Sequence, residues 1–296
     1  MHISQLVNHI YDRMNDKKKI KEENLNDFLD GIKNVIVDFL EKERTATDSR
    51  TVRMSSIGRP NRKIWLDIHE PPENNFFSGA TLIKFLYGSI IEELIILLAK
   101  ESGHKVDSLQ KEVSLEGVTG HMDCKIDDEV VDIKSASNFS FRKFKNSTIE
   151  NDDPFGYVEQ VSGYVQAEGK DKGFLLGVNK VTGELALVQL DELALIDASK
   201  RIKEIKEVIN SDKKPIPCYY PEPDGKSGNM KLNKNCVYCS HKWSCYPHMR
   251  IFKYKEGERY LTSVQRLPNV PDITEEKRLL WQPYICPALS VAVKIT

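Results

Sequence analysis

The chain has 296 residues, 40% hydrophobic and 29% charged, with 43 Lys+Arg against 44 Asp+Glu. That length allows one large domain or two small ones with a sizeable core, in an ordinary globular composition; a charge near zero excludes a chain that is basic throughout, so any nucleic-acid contact has to come from a local basic patch. The longest apolar run, IIEELIILLA (90–99), holds two glutamates and is too short to span a bilayer, and MHISQLVNHIYDRMNDKKK has no apolar signal-peptide core, so the expected location is the cytoplasm.

Residues 1–46 read as a helical region. Ile3, Leu6, Val7, Ile10, Tyr11 and Met14 fall on one helix face, and Leu25, Phe28, Leu29, Ile32, Val35, Ile36, Phe39 and Leu40 on another, with the charged DKKKIKEEN as a solvated turn between them. The window 47–65 gathers Arg50, Arg53, Arg59, Arg62 and Lys63 among Ser, Thr, Gly and Pro; it reads either as a plain polar loop or as a phosphate-binding loop. Residues 79–103 form a helix, with Leu82, Phe85, Leu86, Ile90, Leu94, Leu97 and Leu98 at helical spacing, Gly103 as its stop, and Glu92 and Glu93 in its middle. Short strand runs follow, and MDCKI and EVVDIK flank an Asp127-Asp128 turn. Residues 154–169 read as a helix, 172–190 as a hairpin turning at Thr182-Gly183, and 191–211 as an amphipathic helix. The predicted core order is α-β-β-β-α-β-β-α. From 212 the chain changes to Pro, Gly, Asn, Lys and cysteine, and beyond 250 it becomes mixed.

The segment GHMDCKIDDEVVDIK (120–134) holds five carboxylates in a strand-like alternation, although acidic residues are poor strand formers. An exposed hairpin with a charged edge is one reading. The other is chemical. If the strands pair through the Asp-Asp turn, Asp123 and Asp132 stand across from each other, and Lys134 shares their face. Hard carboxylate oxygens of this kind bind Mg2+ with positions left open for substrate. A lysine beside them orients a water or stabilises charge developing on a phosphate. Glu92 is the candidate third carboxylate and Glu93 its alternative.

Gly88-Ser89-Ile90-Ile91-Glu92, Gly120-His121-Met122-Asp123, Asp132-Ile133-Lys134 and Gln160-Val161-Ser162-Gly163-Tyr164 together resemble the RecB-like branch of the PD-(D/E)xK nuclease superfamily. That branch is marked in this order by a G-x-x-x-(H/E) helix, a GxxD strand, a (D/E)xK strand and a QxxxY helix; Glu92 stands where many relatives carry His. The resemblance covers roughly 80–190. It implies an α/β, restriction-endonuclease-like core, a mixed central sheet flanked by helices, and Mg2+- or Mn2+-dependent hydrolysis of DNA. It also implies that Glu92, Asp123, Asp132 and the Ile133 backbone carbonyl hold the metal, that Lys134 is catalytic, and that Gln160 and Tyr164 hold the DNA backbone and the site's geometry. His121 reads as structural.

Cys236, Cys239 and Cys245 give C-x2-C-x5-C, a spacing at which soft thiolates bind Zn2+ or an iron-sulfur cluster. Cys218 is the preferred fourth ligand and His248 the other candidate; Cys124 and Cys286 read as structural. The triplet resembles the one that clasps a 4Fe-4S cluster in AddB and in CRISPR-associated adaptation nucleases, whose fourth cysteine lies upstream of the core, where this chain has none. The cluster is therefore the expectation and Zn2+ the alternative. The expected organisation is a helical region 1–50, a nuclease core 51–211, a Cys-rich segment 212–250 and a tail 251–296. The expected DNA contacts are Arg53, Arg59, Arg62, Lys63, Arg142, Lys143 and Lys145, with the phenylalanines of FRKFK (141–145) stacking on bases. SSIGRPNRKIW followed by PDGKSGNMKLNKNCVYC also resembles small phage-encoded nucleases of this superfamily, which implies linear DNA ends as substrate, phage replication or recombination proteins as partners, and a host-cell cytoplasm. A structure-specific endonuclease and a non-cutting DNA-binding module are the alternatives.

Overall fold

The computed structural model describes residues 1–41, 51–71 and 79–281. Arg50 and Cys286 lie outside them, as does the end of the apolar tail. The helices and strands, in chain order, are α1 (Leu6–Asn15), α2 (Glu22–Glu41), α3 (Asn61–His69), α4 (Gly79–Glu101), β1 (Val106–Asp107), β2 (Lys111–Leu115), β3 (Val118–Met122), β4 (Cys124–Ile126), β5 (Glu129–Ala136), α5 (Asn138–Lys145), α6 (Tyr157–Ala167), β6 (Gly173–Asn179), β7 (Leu185–Leu190), α7 (Ala198–Ile209), β8 (Glu222–Pro223), β9 (Met230–Lys231), α8 (Lys242–Cys245), β10 (Arg250–Tyr254), β11 (Gly257–Ser263) and α9 (Thr274–Trp281). They divide into two compact units, the first within Met1–Glu70 and Phe77–Ile216, the second from Pro217 onward.

The first unit is built on a five-stranded sheet in the order β1-β4-β5-β6-β7. Its one parallel pair is β5 with β6. A parallel pair needs a long crossover, and residues 137–172, with α5 and α6, supply it. Both faces of the central strands are covered, which is why they read as nearly continuous apolar runs. Strand alternation sorts their side chains into two cores. Val130 and Leu175 join Phe141, Phe144, Val161, Tyr164 and Ile202 on one face. Val131, Ile133, Phe174 and Leu176 join Ile3, Leu6, Ile10, Ile95 and Ile96 on the other. The result is a mixed central sheet flanked by helices, the fold class expected.

β4 and β5 form a tight hairpin. Cys124 pairs with Val131 and Ile126 with Glu129, and Asp127 and Asp128 turn the chain with φ of 52° and 69°. Left-handed conformation at both central residues matches the twist of the strands, and Asp tolerates it.

Several expectations need correction. The run before the hairpin is broken at Asp123, so β2 and β3 make a separate two-stranded ribbon. FRKFK, expected to stack its phenylalanines on bases, is a helix: Ser137 caps it by accepting the Ser140 N–H, and Phe141 and Phe144 sit one helical turn apart in the core. The basic window also runs into a helix, α3. α2 packs along α4 but buries none of its residues fully, because it has one main neighbour; Leu29 and Leu40 stay exposed. The Cys-rich segment and the tail are not successive pieces, since β11 pairs with β9 in the second unit's sheet, β10-β11-β9-β8. Among the described residues no helix is long and apolar enough to cross a membrane.

Candidate active site

β5 carries Asp132 and Lys134 on the face of Val130 and Ala136, two residues apart as strand geometry requires. Asp132 is fully buried. The Lys134 ammonium stands 2.7 Å from its Oδ2 as an ion pair outside hydrogen-bond geometry, and neither carboxylate oxygen has a hydrogen-bond partner. Asp123 sits at the break between β3 and β4, opposite Asp132 by extension of the hairpin register, and accepts the Ile133 N–H on Oδ2 at 2.7 Å. The break turns its carboxylate onto β5 instead of leaving it in a ladder.

α4 packs across β5 and brings Glu92 to the same place. An added Cβ on Gly88, one turn before, would lie 3.5 Å from Ser135 Oγ, which marks how the helix crosses the strand end. Glu93 points elsewhere: its carboxylate fills the space a Cβ on Gly31 of α2 would take, so Glu92 is the acid that joins the aspartates. Gln110 holds it there, donating from Nε2 to Glu92 Oε1 at 2.5 Å while its own N–H donates to the Asp123 carbonyl at 3.0 Å. Gln110 does so with φ +47°, a sparsely populated conformation of the kind stored at functional sites. Sequence reasoning missed this residue.

The three acids disfavour one another's ionisation. Burial pushes Glu92 up to about 7; the Gln110 bond opposes this and the Asp132 charge adds to it. Burial, then the Asp132 charge, hold Asp123 well above the usual carboxylate range. Burial raises Asp132 as well, against the pull of Lys134. Burial would lower Lys134, but the charges of Asp132 and Asp123 outweigh it and keep the ammonium protonated. Buried acids arranged like this ionise together only when a cation joins them. Among the described residues no three His, Cys, Asp or Glu side chains already stand at metal-ligand spacing. The fit to a divalent cation rests on hard oxygen donors, mutual repulsion and the Oδ1 of Asp132, which is buried without a partner.

Gln160 and Tyr164 do share a face of α6, but both are buried. Gln160 Nε2 donates to the Tyr164 hydroxyl at 3.0 Å, and that hydroxyl donates to the His121 carbonyl at 2.8 Å. The pair ties α6 to β3. Phe141 and Phe144 are buried in the core and present no face to a base. Several expected DNA contacts are engaged within the protein. Lys63 and Arg59 meet Asp67 at 2.9 and 3.4 Å, Arg62 donates to the Pro215 carbonyl, Lys143 pairs with Asp152 and Lys145 with Glu184. Arg53 and Arg142 are exposed. Arg201 of α7, also unforeseen, donates to the Ile57 and Arg59 carbonyls and to Asn61 Oδ1 at 2.7–3.0 Å, fixing the loop that leads into α3.

In the second unit Cys218, Cys236, Cys239 and Cys245 are all partly buried, whereas His248 is exposed. Burial, followed by the charges of Cys239, Cys218 and Cys245, pushes the Cys236 thiol up to about 12. Among the described residues no three of these sulfurs already stand at metal-ligand spacing. Cys124 is buried in the first unit's core and its thiol is held far above its usual range by burial.

No protein-family model matches the chain, and no curated protein matches it. Solved structures similar to it include SSO0001, with 14% identity and a TM-score of 0.39 over 72% of this chain and 92% of that one. A phage related exonuclease from Haemophilus somnus 129PT has 17% identity and a TM-score of 0.39 over 54% and 90%. An alkaline exonuclease (LHK-Exo) from Laribacter hongkongensis has 12% identity and a TM-score of 0.33 over 56% and 87%. Overlaps this partial leave the site to be read from its own geometry.

Proposed function

We propose that this protein is a divalent-metal-dependent deoxyribonuclease acting on DNA ends. The observation that carries the reading is Asp132: a fully buried carboxylate that meets the Lys134 ammonium on Oδ2, has no partner on Oδ1, and stands beside two further acids. One ammonium does not compensate three buried carboxylates, and burying an uncompensated charge costs several kcal/mol unless the group is protonated or a cation joins it. Asp123, Asp132, Glu92 and the Ile133 carbonyl would hold Mg2+ or Mn2+. When bound, such an ion supplies charge neutralisation, polarisation of a phosphoryl oxygen and a more acidic water.

Lys134 has a defined part in this chemistry. The charges of Asp132 and Asp123 keep it protonated in the metal-free protein. Its ammonium orients the attacking water or stabilises charge developing on the phosphate oxygens. Asp132 positions that ammonium, and Gln110 sets Glu92 and the Asp123 backbone in place. The aromatic face of Tyr157, 5.2 Å from the Lys134 Nζ, confines the ammonium on its other side. In the second unit, Cys218, Cys236, Cys239 and Cys245 would hold a 4Fe-4S cluster or, in its place, Zn2+; the C-x2-C-x5-C spacing of soft donors supports either. A part in phage-type replication, recombination or DNA breakdown would follow from the likeness of SSIGRPNRKIW and PDGKSGNMKLNKNCVYC to phage nucleases.

The test is digestion of end-labelled linear DNA beside closed circles in Mg2+ or Mn2+. Loss of linear DNA with circles spared is expected. Cutting of circles would make it an endonuclease on the same site. Absence of metal-dependent cutting on every substrate would overturn the reading.

A further inference from the structure

We propose that the pocket beside Lys134 seats one unstacked nucleotide, and that this protein therefore binds single-stranded DNA in preference to blunt duplex. This rests on the phosphodiesterase reading above and names the form of substrate its site takes.

The pocket runs from Lys134 past the end of β5 to α5. Ser137, Ser140, Lys143 and Lys180 line one part, and Phe155 and Tyr157 another. Its cavity measures about 180 Å³, below the ~300–1,000 Å³ of sites that enclose a whole small molecule, so it takes part of one nucleotide with the rest at its open mouth, and no length of duplex. The polar wall suits a phosphate. Lys180 is exposed, and among the described residues its side chain has no ion pair. The Ser137 and Ser140 hydroxyls stand 3.2 Å apart beside it. Lys143 is already tied to Asp152 and adds only background charge.

The aromatic wall suits a base. Phe155 is 58% exposed, and its ring stacks on Tyr157 with centroids 5.4 Å apart and planes 23° from parallel. Tyr157 in turn faces the Lys134 ammonium. The stack thus begins at the reacting lysine and ends in a bare aromatic face. Such a face accepts any base whose own face is free, whereas a base inside a duplex has both faces covered by its neighbours.

The exposure of Phe155 is built in, since its loop is fixed from two sides. The Asp153 carboxylate accepts the N–H groups of Phe155, Gly156 and Val158 at 3.2, 3.0 and 2.8 Å. Gly156 has φ +77°, and a Cβ there would lie 2.6 Å from the Cα of Gly58, so the loop rests directly on the backbone that Arg201 clamps. A loop tied this firmly presents its apolar ring in one place, at the mouth of a cationic pocket. The stacking role that the sequence assigns to Phe141 and Phe144 belongs here.

The test is fluorescence anisotropy of the full chain with fluorescein-labelled oligo(dT) and with a blunt duplex of equal length, in EDTA and again with Ca2+. Phe155→Ala is expected to weaken oligo(dT) binding by about fivefold or more and to leave duplex binding unchanged. Phe155→Trp restores the affinity. Lys180→Ala weakens oligo(dT) binding and flattens its salt dependence. Unaltered oligo(dT) affinity in Phe155→Ala, an equal loss on duplex, or no oligo(dT) binding by the wild type would overturn the proposal. The readout needs no cleavage. If the wild type cuts nothing but Phe155→Ala selectively loses oligo(dT), the pocket stands and the hydrolase reading falls. If Lys134→Ala is inactive while Phe155→Ala binds and cuts single strands like the wild type, the reverse holds.

Discussion

Asp123 is the residue at which stability and activity pull apart. Its carboxylate is buried beside Asp132 and Glu92, and its ionisation is opposed by burial first and by the Asp132 charge second. Asp123→Asn keeps an oxygen to accept the Ile133 N–H and removes one of the repelling charges. In EDTA the variant is expected to melt several degrees above the wild type, while cleavage in Mg2+ falls by about 100-fold or more. A lower melting temperature in EDTA would mean that the carboxylate stabilises the metal-free fold, contrary to the argument. Asp132 and Lys134 were legible from period-2 alternation and Asp123 from the short turn that sets it opposite Asp132, although the strand itself breaks at Asp123. Gln110 was not. Its role depends on a left-handed residue in the loop between β1 and β2, and no periodicity marks that. The choice between Glu92 and Glu93 was equally closed to sequence, since adjacent residues on a helix differ in direction only once its neighbours are known.

At the scale of elements, α4 organises the first unit, and Glu101 at its end ties the N-terminal helices to it. Glu101 accepts from Arg13 of α1 at 2.8 Å, from Asn24 of α2 at 2.7 Å and from the Lys21 N–H at 3.2 Å. A second tie runs from His9 through His104, at 3.0 Å, to Asp127 at 2.7 Å, joining α1 to the β4–β5 turn. Burial would raise Glu101, but the bonds from Asn24, Arg13 and Lys21 prevail and hold it below the usual range. A carboxyl with a depressed folded pKa contributes stability that is present above its unfolded pKa of about 4.3 and is lost as pH falls through the folded value. Glu101→Gln is therefore expected to melt several degrees below the wild type at pH values above the unfolded pKa, with the gap closing in acid. A gap independent of pH would show that the charge is not what holds the helices. The helices of this unit were legible where an apolar stripe meets a packed neighbour, as in α4. α5 was misread, although Phe141 and Phe144 three residues apart and a Ser cap at Ser137 are helix signals; the interleaved Arg and Lys drew attention to charge instead.

Across the whole molecule, the near-neutral composition reflects cations already paired: Lys63, Lys143 and Lys145 each meet an internal acid. Local charge for DNA falls to fewer residues than the basic windows imply. The second unit is small, and its sheet is made of short strands flanking the cysteine loops. Units of this size commonly need a staple, which is what the four cysteines would supply once loaded. Chelation, or Cys236→Ser, is expected to expose 217–281 to protease while the first unit stays protected. An unchanged digestion pattern together with no iron or zinc by elemental analysis would remove the metal from this part of the account. The cysteine spacing was legible because it is local; the pairing of β9 with β11, which folds the tail's first strands into the cysteine unit, was not, because two-residue strands carry no pattern. The most direct measurement of the central claim is release of nucleotides from linear DNA in Mg2+, for the wild type, Lys134→Ala and Asp132→Asn purified side by side. Metal-dependent release by the wild type and none by either variant is the predicted result. Equal release by the variants, or none by the wild type, would contradict the assignment of this site.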